Sequence, residues 1–273
     1  MKVLACQICI PTTNTHEQKV DHIARVGQLI EQQVAQVGNI DLVVLPELST
    51  ISYGLDAFSA LNKLAEELQE YSHSYFNALA KKLRCHIAYG FPRKHGKSYH
   101  ISHAIVGPTI SENVYYDKIH LADIGDSSES GFFSPGNHLC VFDIAGFRIG
   151  VVICYDFRFQ ALTTMLAQQH GVEFIIHPVA FTKDATFHSW HSFAICRAIE
   201  NQVYFLSLNR AGQQWGNSIF CPPWLDEQSP VVRFGEQEEC SVIELRKDTL
   251  QAVRETYPIT RNRLPDYQVL LKQ

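Results

Sequence analysis

The chain has 273 residues, of which 46% are hydrophobic and 19% are charged, so it can bury a large core and lacks the composition of a disordered protein. The formal net charge of −5 gives no reason to expect nucleic acid or an anionic membrane as a partner. Because the apolar stretch at residues 3–10 is too short for a secretory signal and no run of 18 apolar residues occurs, we expect a cytoplasmic protein.

Short apolar, β-branched runs alternate with longer segments of helical spacing, which is typical of an α/β fold. The runs predict strands at residues 2–9, 41–45, 86–91, 103–106, 147–153, 174–177, 203–208 and 239–245. The segments with helical spacing predict helices at residues 15–37, 57–83, 160–169 and 187–201.

The middle of the chain departs from simple alternation. Residues 93–147 contain strand and turn signals but no long helical segment, and residues 134–154 have the pattern of a hairpin that turns at Ala145-Gly146. Mixed sheets are therefore expected. No segment is rich enough in Pro, Gly or Ser to be a linker, so residues 1–273 are predicted to form one domain.

The chain has 8 cysteines, which in a reducing compartment are expected to be mostly free thiols. Cys6 and Cys9 have C-x-x-C spacing, but both lie in the predicted strand at residues 2–9. Residues three apart on a strand point to opposite faces. We therefore expect this pair to pack in the core and not to act in redox chemistry.

Three reactive residue types stand at the ends of strand-like segments. Glu47 in "DLVVLPELS" and Cys154 in "GVVICYDF" follow predicted strands, and Lys118 in "NVYYDKIHL" follows a short strand-like segment. Each by itself is more often a loop acid, a surface cation or a small buried hydrophobe. Together they suit acyl transfer. A carboxylate can take the proton of a thiol, which attacks only as thiolate. An ammonium and the backbone N–H after the nucleophile can then stabilise the oxyanion.

These three motifs, 71 and 36 residues apart, resemble those of the nitrilase superfamily of carbon–nitrogen hydrolases. The similarity extends from "QICIPTTNTHEQKVDHI" to "HSWHSFAICRAIENQVYFLSLNRAG". The resemblance implies that Glu47 is the general base, Lys118 the oxyanion-stabilising lysine and Cys154 the nucleophile, with the backbone N–H of Tyr155 as second oxyanion donor. It also implies that Glu129 is a further active-site glutamate, whereas its alternative role is that of a solvated loop acid.

The resemblance implies a four-layer α-β-β-α sandwich with two mixed sheets. It further implies a homodimer, or a higher homo-oligomer, paired through the helix after Cys154. The C-terminal tail, about residues 247–273, is expected to pack at an oligomer interface. Departures from the family pattern occur at Gln160 and Ala161 in place of Pro-Glu, at His100 and Ile101, and at Asn217.

The resemblance implies hydrolysis through a cysteine thioester, without a cofactor or metal. The stretch "CYDFRF" is similar to the aliphatic amidase branch, which includes omega-amidases, so the implied substrate is a small aliphatic amide. Nitrile or N-carbamoyl hydrolysis on the same triad stays open, as does a catalytically silent binding protein. By family position, Tyr53, Phe181, Trp190 and His191 are candidates for lining the substrate pocket. The sequence does not identify the substrate or the charge of its far end.

Histidines allow two other interpretations. His188 and His191, with His177 nearby in sequence, could suggest a metal site, but the spacing lacks the acid of the zinc motif H-E-x-x-H. A cysteine–histidine nucleophile could use His177 or His120 as its base. The set of glutamate, lysine and cysteine explains more of the chain, so we expect no metal.

Overall fold

A computed structural model gives the structure of the protein and describes residues 1–110, 113–125 and 127–264. The strands are, in chain order, β1 (Lys2–Gln7), β2 (Leu42–Val44), β3 (His86–His95), β4 (Ser98–Val106), β5 (Val114–Asp117), β6 (Val141–Ile144), β7 (Phe147–Val151), β8 (Phe174–Pro178), β9 (Tyr204–Leu208), β10 (Ile219–Cys221), β11 (Val232–Arg233) and β12 (Glu239–Glu244).

The α-helices are α1 (His16–Val37), α2 (Leu55–Ser59), α3 (Leu61–Leu64), α4 (Tyr71–Leu83), α5 (Gln160–Gln168), α6 (Phe187–Asn201), α7 (Lys247–Thr256) and α8 (Ile259–Asn262). Two short 3₁₀ helices, Glu129–Gly131 and Cys154–Arg158, carry predicted site residues.

The strands form two six-stranded sheets. The first has the order β12-β1-β2-β3-β4-β5 and the second the order β11-β10-β9-β8-β7-β6. In each sheet the three central strands are parallel, β1 to β3 in one and β7 to β9 in the other, and the flanking pairs are antiparallel. Both sheets are therefore mixed, as predicted.

Apolar side chains on alternate faces of the strands build the layers. In β1, Val3 belongs to the core shared with the second sheet, whereas Leu4 belongs to the core under α1 and α4. Ile23 of α1 and Phe76 of α4 complete that outer core. On the second sheet, Trp190 of α6 packs over the strands. The helices flank the two sheets, which confirms the predicted α-β-β-α sandwich.

Local signals set several elements. Thr15 caps α1 because its hydroxyl accepts the N–H of Gln18, while the Gln18 side chain accepts the N–H of Thr15. The helix predicted at residues 15–37 thus begins one residue later than expected. The hairpin between β6 and β7 turns at Ala145 and Gly146, with φ of 49° and 79°, as two-residue hairpin turns require.

The single helix predicted at residues 57–83 is wrong, since this segment forms α2, α3 and α4. The chain leaves helical geometry at Ala65, where ψ is 145°. Glu66 then bridges to β3, because its N–H donates to the carbonyl of Pro92 at 3.0 Å and its carbonyl accepts the N–H of Lys94 at 2.7 Å. Helical spacing alone could not reveal this long-range bridge.

The expectation that Cys6 and Cys9 both lie in a strand and pack in the core is wrong for Cys9. Strand β1 ends at Gln7, and the backbone leaves the sheet there. The buried side chain of Gln7 donates a hydrogen bond to the carbonyl of Gly235 and accepts one from the N–H of Ser218. Cys6 is buried opposite Cys240, but Cys9 is exposed. All 8 cysteines are free thiols.

The C-terminal helices pack against their own chain. Leu250 of α7 is buried, and Gln202 donates to the carbonyl of Tyr257 at 2.5 Å. The part of the predicted interface tail at residues 265–273 lies outside the described residues. Within the described ranges, no helix has the length and apolar character needed to cross a membrane.

Candidate active site

The two sheets bring Glu47, Lys118 and Cys154 together, because Lys118 is hydrogen-bonded to Glu47 and the charges of both act on the pKa of the Cys154 thiol. Glu47 follows β2 and Lys118 follows β5 in the first sheet, whereas Cys154 follows β7 in the second. Both charged side chains are buried, with exposures of 1% for Glu47 and 0% for Lys118, and Cys154 is 9% exposed. Buried charges are rare unless they are paired, so this grouping needs an explanation beyond packing.

Lys118 lies between two carboxylates. Its Nζ is 2.9 Å from Oε1 of Glu47 and 2.7 Å from Oε1 of Glu129. Burial by itself lowers the pKa of Lys118, but the charges of Glu129 and Glu47 outweigh it and hold that pKa well above its usual value. Lys118 therefore stays an ammonium at neutral pH.

Glu129 is fully buried, which excludes the alternative of a solvated loop acid. Its Oε2 accepts the backbone N–H of Ala122 at 2.7 Å. Its Oε1 accepts the hydroxyl of Tyr53 at 2.6 Å as well as the Lys118 ammonium. Glu129 is thus held in one orientation and in turn orients Lys118.

Glu47 has one carboxylate oxygen engaged and one available. Oε1 accepts from Lys118, whereas Oε2 is buried and accepts no hydrogen bond from the described residues. Burial raises the pKa of Glu47, Lys118 opposes the rise and Glu129 adds to it. A carboxylate with a free oxygen and a raised pKa suits the exchange of protons with a thiol and a leaving group.

The turn that carries Glu47 is held from two sides. A Cβ at Gly90 of β3 would lie 2.4 Å from the nitrogen of Leu48, so only glycine allows this close approach. On the other side, Arg210 donates from Nη2 to the carbonyl of Glu47 at 3.1 Å. Arg210 is buried, and burial lowers its pKa to about 10. Sequence reasoning missed this second cation, because it lies 163 residues from Glu47.

Cys154 adopts an unusual backbone conformation, with φ of 43°, at the start of its 3₁₀ helix. Burial raises the pKa of the Cys154 thiol well above its usual value, and the nearby charge of Glu47 adds to the rise. The thiol is therefore neutral at rest and needs a base before it can attack. The backbone N–H of Tyr155, the predicted oxyanion donor, donates to no acceptor among the described residues.

Asp156 links the turn at Cys154 to the strand before Lys118. Its Oδ2 accepts the hydroxyl of Tyr116 at 2.8 Å and the N–H of Ile153 at 3.1 Å. Its Oδ1 accepts the backbone N–H and the Nδ1–H of His120 at 2.8 and 2.7 Å. Sequence reasoning also missed this role of Asp156, although the residue stands two positions after the cysteine.

A small cavity of about 30 Å³ is lined by Cys154 and adjoins an outer cleft of about 210 Å³. The two share Ser127 and Thr182. The described lining of the inner cavity is Ala122, Ile124, Ser127, Cys154, Tyr155, Arg158, Ala180, Phe181, Thr182, Asp184 and Thr186.

The carbon-nitrogen hydrolase family model matches residues 2–255. The chain belongs to the carbon–nitrogen hydrolase family. It is 31% identical over 261 residues to omega-amidase NIT2-A of Xenopus laevis, with 91% of each chain covered. It is 28% identical over 268 residues to human omega-amidase NIT2, covering 93% of this chain and 94% of the human protein.

Solved structures agree with this membership. Nit3 of Saccharomyces cerevisiae, a member of branch 10 of the nitrilase superfamily, has a TM-score of 0.83 at 26% identity, with 96% of each chain covered. A carbon-nitrogen hydrolase from Helicobacter pylori G27 has the same fold, with a TM-score of 0.82 at 22% identity and coverage of 100% and 99%. These comparisons confirm the nitrilase-superfamily resemblance.

The predicted pocket residues of this carbon–nitrogen hydrolase divide into two groups. Phe181 lines the inner cavity and Tyr53 the outer cleft. The prediction that Trp190 lines the pocket is wrong. Its ring is fully buried behind Phe181, on which it stacks at 5.1 Å between ring centroids. His191 lies outside the described lining, with Nε2 2.7 Å from the carbonyl of Asn217.

The other histidines do not offer a base for the thiol. His177 hydrogen-bonds from Nε2 to the backbone carbonyl of Cys154 at 2.8 Å, and His120 is engaged by Asp156. His188 is exposed. Over the described ranges, no group of three or more His, Cys, Asp or Glu side chains could hold a metal ion.

Proposed function

We propose that this carbon–nitrogen hydrolase releases ammonia from the terminal amide of a small linear substrate through a thioester on Cys154. The observation that carries the proposal is the buried ammonium of Lys118, held by Glu47 and Glu129 near enough for these charges to affect the pKa of the Cys154 thiol, while Glu47 keeps Oε2 available. The similar proteins named omega-amidase support an amide as the substrate.

The first half-reaction makes the acyl-enzyme. Glu47 takes the proton of the Cys154 thiol, and the thiolate attacks the amide carbonyl carbon. The oxygen of the tetrahedral intermediate becomes an anion, which the ammonium of Lys118 and the N–H of Tyr155 stabilise. Glu47 then gives its proton to the nitrogen as the C–N bond breaks, so ammonia leaves and a thioester remains.

The second half-reaction clears the thioester. Glu47, again a carboxylate, takes a proton from water, and the hydroxide attacks the thioester carbonyl. The same two donors stabilise the second oxyanion. The C–S bond then breaks, Glu47 returns its proton to the sulfur, and the carboxylic acid product leaves. The raised pKa of Glu47 supports this double use, because its carboxyl group gives up a proton less readily than an ordinary glutamate and so can hold one between the two transfers.

The far end of the substrate meets Arg158. This side chain lines the cavity wall, and its polar contacts are long, 3.4 Å to Ser189 Oγ and 3.5 Å to the Thr186 carbonyl. Its guanidinium also faces the ring of Phe181 at 5.8 Å. A weakly engaged guanidinium suits a bidentate carboxylate. We therefore propose a substrate with an amide at one end and a carboxylate at the other.

A panel of linear amides, N-carbamoyl compounds and nitriles, assayed for ammonia release, tests this function. Each amide acid is paired with its neutral methyl ester. The acid should be preferred, and Arg158→Gln should lower kcat/KM for the acid by about 10- to 100-fold, the worth of a hydrogen bond to a charged group. Arg158→Lys, which keeps the charge, is the matched control. Faster release from nitriles or N-carbamoyl compounds would overturn the amide assignment.

We also propose that the protein works in the cytoplasm as a homodimer. All 8 cysteines are free, including the exposed Cys9 and Cys196, which supports a reducing compartment. Two large apolar side chains, Phe159 just before the helix α5 and Met165 within it, are 37% and 38% exposed, which supports an interface there.

A further inference from the structure

The peptide group between Cys154 and Tyr155 is held on one side and open on the other. Its carbonyl oxygen accepts a hydrogen bond from His177 Nε2 at 2.8 Å. Its N–H, which belongs to Tyr155, donates to no acceptor among the described residues, and Tyr155 lines the cavity at the thiol. The same peptide plane thus has a carbonyl that is held by a hydrogen bond and an N–H that is free to donate.

His177 is part of a buried chain of hydrogen bonds. Its Nδ1 lies 2.8 Å from the hydroxyl of Ser207, and the same hydroxyl accepts the Nε1–H of Trp190 at 2.7 Å. All three side chains have an exposure of 0%. The imidazole is also packed between aromatic rings, 4.5 Å from Phe157 and 5.2 Å from Phe205 between centroids, so it has little freedom to turn.

The direction of every bond in this chain follows from its ends. A carbonyl only accepts, so Nε2 of His177 carries the hydrogen. Burial lowers the pKa of His177 to about 3, so the ring is neutral and Nδ1 accepts. The Ser207 hydroxyl therefore donates to Nδ1 and accepts from Trp190, whose Nε1 can only donate. These hydrogen bonds hold His177 in a single tautomer, whose Nε2–H donates to the Cys154 carbonyl.

We propose that His177 is a positioning residue for the oxyanion site, because it fixes the plane whose opposite edge carries the Tyr155 N–H. The peptide is planar and trans, so its C=O and N–H point in opposite directions, and a clamp on one aims the other. Donation to the carbonyl also polarises the peptide, which makes its N–H a stronger donor. This inference rests on the proposed function, in which Tyr155 stabilises the oxyanion.

The backbone at Cys154 explains why such a clamp is needed. The residue has a φ of 43°, which lies in a region of backbone conformation that residues other than glycine rarely adopt. A turn held in that region keeps its shape only when the surrounding contacts determine it. Asp156 fixes the turn through the N–H of Ile153, before the nucleophile, and His177 fixes the plane after it.

Acyl transfer and alkylation of the same thiol separate this role from general damage. Burst release of p-nitrophenol from p-nitrophenyl acetate reports acylation, in which the ester C–O bond breaks, the C–S bond forms and an oxyanion develops. Alkylation of Cys154 by iodoacetamide displaces iodide without an oxyanion. A change in the direction of the Tyr155 N–H should therefore slow acylation by the ester and leave alkylation by iodoacetamide unchanged.

In His177→Phe, which keeps an aromatic ring but no donor, the burst rate should fall about 10- to 100-fold, part of the loss known for removal of one oxyanion donor. The alkylation rate should stay within about twofold of the wild type, since that step has no oxyanion to stabilise. His177→Gln, whose amide N–H can replace Nε2–H, should recover most of the burst rate. Ser207→Ala should show an intermediate loss, because His177 then lacks its fixed tautomer.

Each outcome has one meaning. Equal burst rates in the wild type, His177→Phe and Ser207→Ala would overturn the inference while the proposed function stands. A parallel loss of burst and alkylation in the well-folded Ser207→Ala and His177→Gln variants would also overturn it, because the whole nucleophile would then be displaced. If the wild type forms no acyl-enzyme from either the ester or an amide, the proposed function falls and the inference falls with it.

Discussion

The ammonium nitrogen of Lys118 lies 2.7 Å from Oε1 of Glu129, and both side chains are fully buried. Glu129 is itself held by the hydroxyl of Tyr53 and the N–H of Ala122. Because Glu47 shares the same ammonium, the cluster carries one positive and two negative charges out of contact with bulk water. A change in the charge of Glu129 or Lys118 should therefore alter the pKa of Glu47.

Replacement of Glu129 by glutamine tests the charge of this residue apart from its shape. Glu129 raises the pKa of Glu47, so Glu129→Gln should lower that pKa. Glu47 would then remain a carboxylate at lower pH, and the acidic limb of kcat/KM against pH should move downward. Glu129→Ala, which also empties the contacts to Tyr53 and Ala122, should lower the thermal midpoint as well. An unchanged pH profile in the glutamine variant would contradict the electrostatic coupling.

Replacement of Lys118 should move the same limb in the opposite direction. Lys118 lowers the pKa of Glu47, so Lys118→Met should raise that pKa and shift the acidic limb upward. Loss of the proposed oxyanion donor should also lower the acylation rate by about 10²–10³, roughly 3–4 kcal/mol of barrier. Lys82→Met, at an exposed surface pair with Glu31, is the control and should change neither quantity. Turnover near the wild-type rate in Lys118→Met would refute the proposed triad.

Removal of Cys154, the proposed nucleophile, should abolish turnover with little loss of stability. Cys154→Ala keeps a small side chain at a site that opens onto a cavity, so the thermal midpoint should stay near that of the wild type. Cys6→Ala should do the reverse, with full activity and roughly 1 kcal/mol less stability, since Cys6 lies in a closed core. A Cys154→Ala variant that keeps a tenth of the wild-type rate would exclude the thioester route.

The proposed dimer can be tested at the helix after the nucleophile. Leu162 and Leu166 of α5 are buried within their own chain, so the large apolar side chains that this region leaves for a partner are Phe159 and Met165. Light scattering should show twice the 31.0 kDa of one chain at micromolar concentration, and Met165→Lys should shift the mass toward the monomer. A wild type that stays at 31.0 kDa would refute the dimer.

The sequence by itself determined the elements and residues whose signals are local. Thr15 and Gln18 start α1, and Ala145-Gly146 turns the β6–β7 hairpin, because caps and tight turns depend on residues within a few positions of each other. The alternation of strand and helix patterns predicted the α/β class. Three reactive residue types after strands marked Glu47, Lys118 and Cys154, and the resemblance of their motifs predicted the layered sandwich.

The tertiary structure alone decided which distant groups support those three residues. Arg210 meets the carbonyl of Glu47 and His177 meets that of Cys154, and such contacts with backbone atoms leave no periodicity or motif in the sequence. The break of the predicted helix at Ala65 arose from a bridge to β3, and Trp190 turned into the core behind Phe181. In each case the deciding contact joins segments far apart in the chain, and only the packing of the two sheets and their helices brings those segments together.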